Sequence, residues 1–159
     1  YVKKYINRED VNDLSNCGIN IILLRYAEVL LTYAEAKIEL NQIDESVYDA
    51  INEIRKRPDV NMPLVAQPQS QAALRETLRN ERMVELAFEG QRFFDIRRWG
   101  IAPEVFNVPI LGLTYVNNGQ LETVDQAGVV RSFQQRDYLW PIPQKEMDLN
   151  KNLKPNPGW

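Results

Sequence analysis

Residues 80–100 read NERMVELAFEGQRFFDIRRWG, and this stretch constrains the structure of the chain more than any other. Arginines and acidic residues are interleaved here with three phenylalanines and a tryptophan. On a helix, Glu81, Glu85 and Glu89 would share one face, where each like-charge pair costs roughly 0.2–0.5 kcal/mol. Because Leu78 and Phe88 lie close to the same stripe, we expect that face to be packed, with arginines from elsewhere neutralising the glutamates.

The predicted partners of these glutamates are the arginines at four other places in the chain: Arg25, Arg55, Arg97 and Arg98. The alternative is a solvated helix whose glutamates pair locally, with Arg79 and Arg82. The interleaved phenylalanines favour the packed ionic cluster over the solvated helix. If the partner is a buried arginine, we expect Glu85→Ala to cost on the order of 3–5 kcal/mol of stability. A surface site would change by less than about 0.5 kcal/mol.

Five blocks occur along the chain in an order that is typical of one protein family. They are RYAEVLLTYAEAKIELN (25–41), NEIRKRPDV (52–60), RNERMVELAFEGQRFFDIRRWG (79–100), LWPIPQKEMDLN (139–150) and NPGW (156–159). In these blocks the chain resembles the C-terminal half of the RagB/SusD family, the nutrient-binding lipoproteins of the Bacteroidetes outer surface. The resemblance is most specific in residues 85–100 and in the PIP…N…NPG ending, and weakest in residues 1–20 and 102–136.

The resemblance implies a mainly α, SusD-like fold with a tetratricopeptide-like helix hairpin, further packed helices and a small irregular β-hairpin region. Residues 1–20 are expected to form a linker or loop. Residues 21–159 are expected to form the C-terminal domain of a longer protein whose helical N-terminal half lies upstream. In family members, a signal peptide and a lipidated cysteine precede that half.

The function that the resemblance implies is non-catalytic capture of a glycan, starch-like or another polysaccharide, or of a similar nutrient. The expected partner is a SusC-like TonB-dependent transporter of the outer membrane, to which the cargo is passed. The expected location is the outward-facing surface of that membrane, with a lipid anchor on a cysteine upstream of this chain.

Two other function classes are compatible with parts of the sequence. A tetratricopeptide-like helix pair could bind a protein or peptide without any affinity for sugar, although such modules lack residues 85–100 and NPGW. A glycoside hydrolase would need two carboxylates in an open cleft, and the pairs Glu81/Glu85 and Glu85/Glu89 have the spacing of a helix surface instead. A general acid must keep its proton, whereas neighbouring arginines favour the ionised carboxylate. We therefore expect no enzyme activity and assign no catalytic residue.

The composition excludes several kinds of site. The chain contains no histidine and a single cysteine, Cys17, so imidazole catalysis, an internal disulfide and a multi-cysteine zinc site are all excluded. We expect neither a metal nor a cofactor. The nineteen basic residues are mixed with acids and the net charge is −3, so the sequence has no basic patch of the kind that binds nucleic acid. No apolar run approaches the roughly 18–20 residues of a membrane span.

Hydrophobic periodicity predicts four helices in the first two thirds of the chain. They are expected at residues 20–41 with Asn20 as cap, 45–56 with Asp44 or Ser46 as cap, 70–89, and 91–99. Gly90 is expected to end or kink the third helix, and Gly100 with Pro103 to stop the fourth. The short link between the first two helices predicts an antiparallel pair.

The last third of the chain has a different pattern. Strands are predicted at residues 110–116 and 120–124, on either side of Asn117-Asn118-Gly119, with a third short strand at 129–133. Residues 139–143 are expected to be extended but outside any central strand, because Pro141 and Pro143 cannot donate to a sheet. Residues 144–149 are expected to form one helical turn at most.

Aromatic side chains could grip a sugar by stacking on its apolar face. The candidates outside the predicted helical core are Tyr115, Tyr138, Trp140 and Trp159. We expect Trp140 to pack in the core, because leucine and proline flank it. Trp99 is expected either to stack on a neighbouring arginine or to close the helical core. In the family, the glycan site lies mainly on loops of the upstream half, so we assign no ligand-binding residue in this chain.

Overall fold

The computed structural model describes residues 4–5, 18–20, 22–58, 60–110, 112–124 and 131–159. Within these residues it is mainly helical, with six α-helices and one two-stranded antiparallel sheet, which confirms the predicted fold class. The chain divides into two compact units, Tyr1–Arg92 and Phe93–Trp159. Cys17 and most of the predicted linker at residues 1–20 lie outside the described residues.

The first two helices are α1 (Tyr26–Glu39) and α2 (Glu45–Arg55), and they pack against each other. The predicted start of α1 at Asn20 is wrong. Arg25 is still extended, with φ −121° and ψ 152°, and the helix begins only after it. The start of α2 is as predicted, because the Asp44 carboxylate accepts a hydrogen bond from the Ser46 N–H at 3.1 Å.

The third helix, α3 (Gln71–Glu85), begins at the Ser70 cap, whose hydroxyl accepts a hydrogen bond from the Ala73 N–H at 3.2 Å. It ends four residues before the predicted end at Glu89. Residues 86–90 form a turn instead, in which Phe88 has φ +65° and Gly90 has φ +77°. Glu89 is therefore not part of the helical stripe that was predicted for it.

The core of the first unit is apolar and is shared by these three helices. α3 packs against α1, as expected for a helix pair that cannot cover its own apolar face alone. The link between α2 and α3 is pinned by two buried groups: Val65 N–H donates to the Asn52 amide oxygen at 2.8 Å, and Gln69 N–H donates to the Tyr48 hydroxyl at 2.9 Å. The largest fully buried side chains are Leu31, Ile38, Val47, Ile51, Ile54, Leu74 and Leu78.

Helix α4 (Gln91–Arg98) has the predicted length to within one residue, and Gly100 follows it with φ +72°. A short helix, α5 (Ala102–Phe106), comes next and was not predicted, because Pro103 was interpreted as a stop. Proline is accepted in the first turn of a helix, where its missing N–H would have no partner in any case.

The predicted hairpin is present, with shorter strands: β1 (Thr114–Asn117) pairs antiparallel with β2 (Gln120–Thr123). Asn118 and Gly119, which join them, have φ +50° and +81°, as a type I′ turn requires. Of the predicted third strand, residues 129–130 lie outside the described residues and residues 131–133 form no strand.

Two further elements complete the second unit. A 3₁₀-helix, Gln135–Tyr138, was not predicted, and α6 (Gln144–Leu149) is longer than the single turn expected. Residues 139–143 lie outside helix and strand, as predicted for the proline-containing segment. In the part of the chain that the structure describes, no helix is both long enough and apolar enough to cross a bilayer.

Candidate functional site

The glutamates of the NERMVELAFEG stretch meet Arg25 from the residue before α1. The Arg25 guanidinium donates to the Glu85 carboxylate at 2.8 Å and to both Glu89 oxygens at 2.7 and 2.9 Å. It also donates to the Glu85 carbonyl oxygen at 2.9 Å. Although Glu89 lies off the helix, the turn after α3 brings it to the same arginine. The start of α1 is displaced to Tyr26, which leaves Arg25 extended and able to span both carboxylates.

Three more cations complete this ionic cluster, which consists of Lys4, Arg25, Arg55, Arg57, Glu81, Glu85 and Glu89. Arg57 donates from both terminal nitrogens to the two Glu85 oxygens, at 2.7 and 2.9 Å. Arg55 pairs with Glu81, and Lys4 pairs with Glu89. The packed ionic cluster is confirmed, with Arg25 and Arg55 as predicted, while Arg57 and Lys4 were missed.

The alternative, in which these glutamates pair locally with Arg79 and Arg82, is not supported. Arg79 pairs one turn away with Glu76, which is not one of the three glutamates. Arg82 is only 4% exposed and is directed to α1, where Thr32 accepts a hydrogen bond at 3.2 Å and the Glu35 carboxylate lies 3.7 Å away. The third and fourth predicted partners, Arg97 and Arg98, belong to the second unit and have other roles there.

The electrostatics of the ionic cluster favour the charged form of Glu89. Burial alone would raise the pKa of Glu89, but hydrogen bonds from Arg25 and Lys4 outweigh it, so the pKa lies below its ordinary value. The hydrogen bond that Arg25 donates to Glu89 also raises the pKa of Arg25. At neutral pH Glu89 is therefore an ionised anchor, which is the wrong protonation state for a general acid.

The aromatic candidates divide according to what their rings contact. Trp140 was expected in the core, but it is 72% exposed. Its segment is held through the backbone instead, because the Asn156 side chain donates to the Trp140 carbonyl at 2.6 Å. Tyr115 lies on the hairpin and donates to Glu122 at 3.0 Å.

Trp159 is half-exposed, and its side chain also stabilises the local structure. Its indole N–H donates to the carbonyl oxygens of Arg136 and Leu139, at 3.2 and 3.1 Å. The Arg136 guanidinium carbon lies 4.9 Å from the centre of the indole ring. Gly158 fits closely beneath the same arginine, since a Cβ there would lie 2.8 Å from the Cβ of Arg136. The NPGW ending thus holds the 3₁₀-helix and the residues after it.

The fourth aromatic candidate, Tyr138, lines a cavity of about 400 Å³ in the second unit. We call this space the arginine cavity; its lining residues are Arg97, Arg98, Trp99, Gly100, Pro103, Gln135 and Tyr138. Trp99 lies beneath Arg98, whose guanidinium carbon is 5.0 Å from the indole centre, which confirms the first of its two predicted roles. Tyr138 is fixed by its hydroxyl, which accepts a hydrogen bond from Ala102 N–H at 3.3 Å.

Arg97 is held in the arginine cavity by aromatic rings. Its guanidinium carbon lies 5.0, 5.6 and 6.0 Å from the ring centres of Phe93, Phe133 and Tyr138, and one of its nitrogens donates to the Tyr138 carbonyl. Phe93 and Arg97 stand four residues apart on α4, so helical spacing could have indicated this contact. Phe133 and Tyr138 come from distant sequence, and no local pattern points to them.

The residues that the structure describes offer no group of three or more His, Cys, Asp or Glu side chains that could hold a metal ion. The lining of the arginine cavity offers guanidinium groups, ring side chains and an amide. These groups can orient and bind a ligand.

Comparison with known proteins gives consistent results. The model of the SusD family matches residues 1–159. The SusD-like protein P2 of Formosa agariphila is 36% identical over 154 residues, which are 93% of this chain and 28% of that protein. A crystal structure of a SusD-like protein from Bacteroides fragilis superimposes with a TM-score of 0.76 at 38% identity, covering 88% of this chain and 26% of that one.

A SusD-like carbohydrate binding protein from Bacteroides vulgatus superimposes with a TM-score of 0.60 at 28% identity, covering 89% of this chain and 31% of that one. The chain thus spans between about a quarter and a third of the length of these relatives.

Proposed function

The chain belongs to the SusD family, and on that premise we propose that it serves in the non-catalytic capture of a glycan or a similar nutrient at the cell surface. The observation that carries the proposal is the family match over residues 1–159. A structural neighbour from Bacteroides vulgatus is a SusD-like carbohydrate binding protein, which supports a saccharide as the cargo.

The partner in this proposal is a SusC-like TonB-dependent transporter that receives the cargo. The location is the outward-facing surface of the outer membrane, with a lipid anchor on a cysteine upstream of this chain. An outward apolar face on α1 supports a protein partner: Tyr26, Val29 and Tyr33 are exposed and stand at positions i, i+3 and i+7 of the helix. Clustered exposed apolar residues of this kind are typical of interaction surfaces.

The absence of catalysis is part of the proposal. The closely spaced carboxylates on α3 and in the following turn are engaged by Arg25, Arg55 and Arg57. A glycosidase would need one of them protonated and directed into a cleft. Their engagement by arginines supports a role in holding the helices together.

The test is isothermal titration of the chain with a panel of polysaccharides, combined with an assay for released reducing ends. We expect saturable binding of at least one polysaccharide and no release of reducing ends over hours. Release of reducing ends above the buffer control would contradict the non-catalytic role. If no polysaccharide binds, glycan capture by this chain is wrong.

A second candidate function, a tetratricopeptide-like interaction module without sugar affinity, is favoured by the same face of α1. Substitution Val29→Asp places a charge in that face without touching the core, and Leu121→Asp is a matched control on the exposed hairpin. Under our proposal Val29→Asp weakens binding of the chain to the transporter and leaves glycan binding unchanged. Loss of protein binding in a chain that never binds glycan would favour the module.

A further inference from the structure

We propose that the arginine cavity is a binding site for an anionic sugar residue, that is, a saccharide ring that carries a carboxylate or a sulfate group. This inference rests on the proposed function and narrows its ligand class. The cavity volume of about 400 Å³ lies within the range of small-molecule sites in proteins.

The charge of the lining is the first argument. The lining includes two arginines and, among the residues described, no carboxylate, and Arg98 is paired from outside the lining by Asp95. Among the described residues, Arg97 forms no ion pair. It contacts three aromatic rings and one backbone carbonyl. Ring faces stabilise a guanidinium without neutralising its charge. Arg97 is half-buried, and a cation in this state attracts an oxyanion more strongly than a fully exposed one, because less water screens it.

The second argument is that both guanidinium groups are positioned before any ligand arrives. Arg98 donates from two nitrogens to one Asp95 oxygen, at 3.0 and 2.8 Å, and its side chain is 45% exposed. Asp95 itself is buried in the second unit. Since Arg97 is fixed by rings and Arg98 by Asp95, little conformational entropy remains to be lost on binding. Planar guanidinium groups match the oxygens of a carboxylate or a sulfate well.

The third argument concerns the sugar ring. Two aromatic residues, Trp99 and Tyr138, belong to the lining, and the Gln135 amide adds one donor group and one acceptor. Sugars offer both apolar C–H faces and hydroxyl groups, so this mixture suits a saccharide better than it suits a free inorganic anion. The combination of cations, rings and an amide points to a sugar acid or a sulfated sugar.

The experiment compares three oligosaccharides of equal length by isothermal titration: oligogalacturonate for the carboxylate, a κ-carrageenan oligosaccharide for the sulfate, and a maltooligosaccharide as the neutral reference. We expect one or both anionic sugars to bind at least tenfold more tightly than the neutral one. Raising the salt concentration should weaken that binding. Which of the two anionic sugars binds identifies the source of the charge.

The variants test the site itself. Arg97→Gln is expected to weaken binding of the anionic sugar by more than tenfold. Arg131→Gln is the matched control, because it removes an equal charge and a ring contact, with Phe106, outside the cavity; it should change binding by less than twofold. If circular dichroism shows that Arg97→Gln does not fold, Gln135→Ala takes its place, because it removes the amide of the lining and leaves the buried Asp95 paired; it should weaken binding of the anionic sugar more than Arg131→Gln does.

The outcomes separate this inference from the proposed function. Equal binding of neutral and anionic sugars, unchanged by the arginine variants, overturns the arginine cavity as the site and leaves glycan capture standing. Equal losses from Arg97→Gln and Arg131→Gln also overturn it, because the effect would then be one of net charge. Failure of all three sugars and of the polysaccharide panel overturns both.

Discussion

Each of the two units of this chain is stabilised internally by a different kind of interaction. In the described part of the first unit, thirteen hydrophobic residues are buried, and they form one cluster between α1, α2, α3 and the link before α3. In the described part of the second unit the buried hydrophobic residues are Ile96, Ala102 and Phe133. There the contacts are mainly between guanidinium groups and rings, and between side chains and backbone carbonyls, as in Arg97 and Trp159.

This difference shows what each kind of sequence can do. Regular helices bring apolar residues together at fixed spacing, so they can form a core and tolerate an ionic cluster at its edge. A segment with prolines, a hairpin and short helices cannot build such a core, and directional contacts take its place. Directional contacts leave polar groups and ring faces available to a ligand, which is why the arginine cavity occurs in the second unit.

The comparison can be tested with two spectroscopic probes. All three tryptophans, Trp99, Trp140 and Trp159, lie in the second unit, whereas the long helices lie in the first. Tryptophan fluorescence therefore reports on the second unit, and far-ultraviolet circular dichroism reports mainly on the first. Each of the following variants is to be unfolded in urea with both probes.

The largest effect is expected from Glu85→Ala in the ionic cluster. Glu85 is the shared partner of Arg25 and Arg57, and its side chain is only 10% exposed. Its removal leaves two partly buried guanidinium groups without this carboxylate, at a cost on the order of 3–5 kcal/mol. The circular dichroism transition should move to lower urea. The control Glu76→Ala, whose side chain is 67% exposed on the same helix, should change stability by less than about 0.5 kcal/mol.

A similar or slightly smaller effect is expected from Ile51→Ala in the apolar core. Ile51 is fully buried, so the substitution leaves a cavity and should cost about 2–5 kcal/mol. Val84→Ala, on an exposed position of α3, is the control and should stay within about 0.5 kcal/mol of the unsubstituted chain. If Ile51→Ala and Val84→Ala destabilise the chain equally, the stability of the first unit does not depend on its apolar core.

A smaller effect, present near neutral pH and lost in acid, is expected at the start of α2. Hydrogen bonds from Lys37 and then from Ser46 lower the pKa of Asp44 from an ordinary value of 3.8 to about 2. Because the folded pKa is depressed, Asp44 stabilises the first unit above about pH 4, and this contribution is lost as the pH falls toward 2. Asp44→Asn should therefore lower the urea midpoint at pH 6 and have little effect at pH 2.

The control for this prediction is Asp148→Asn in the second unit. Asp148 makes only an exposed ion pair with Lys151, at 3.8 Å, and a hydrogen bond from the Gln144 amide, at 3.0 Å. Its substitution should leave the urea midpoint of the circular dichroism transition unchanged at both pH values. An equal effect of the two substitutions would show that total charge, and not the cap of α2, determines the acid response.

The smallest change in stability is expected from Trp159→Phe. The substitution keeps an aromatic ring beside Arg136 but removes the indole N–H that bonds two carbonyls, at a cost of about 1 kcal/mol. Amide hydrogen exchange should rise in residues 135–140 and stay unchanged in α1 and α2. Faster exchange throughout the first unit would contradict the division of the chain into differently stabilised units.

Much of the helical architecture could be predicted from the sequence, because it depends on local patterns. Asp44, Ser70 and Gly100 mark helix ends by chemistry that acts within a few residues. The end of α3 could not be predicted, since Phe88 adopts a left-handed conformation that its residue type does not favour. The helix continuation assumed through Glu89 was wrong for that reason.

The ionic cluster could be predicted in kind, and only partly in its members. Like charges at helical spacing require distant cations, which correctly indicated Arg25 and Arg55. To predict Arg57 and not Arg97 as a partner of these glutamates, one must know the path of the chain after α2. No short-range sequence pattern specifies that path. The arginine cavity was missed for a related reason: its rings and cations come from α4 and from residues 135–138, which are brought together only by folding.

The extended conformation of Arg25 has a mechanical consequence. Its side chain is fastened by four hydrogen bonds to Glu85 and Glu89, which are 60 and 64 positions further along the chain. Tension applied to the chain just before residue 25 is resisted by all four hydrogen bonds at once. The backbone hydrogen bonds of α1 can break one at a time only after these four have broken. The first unit is therefore reinforced against tension at the start of α1.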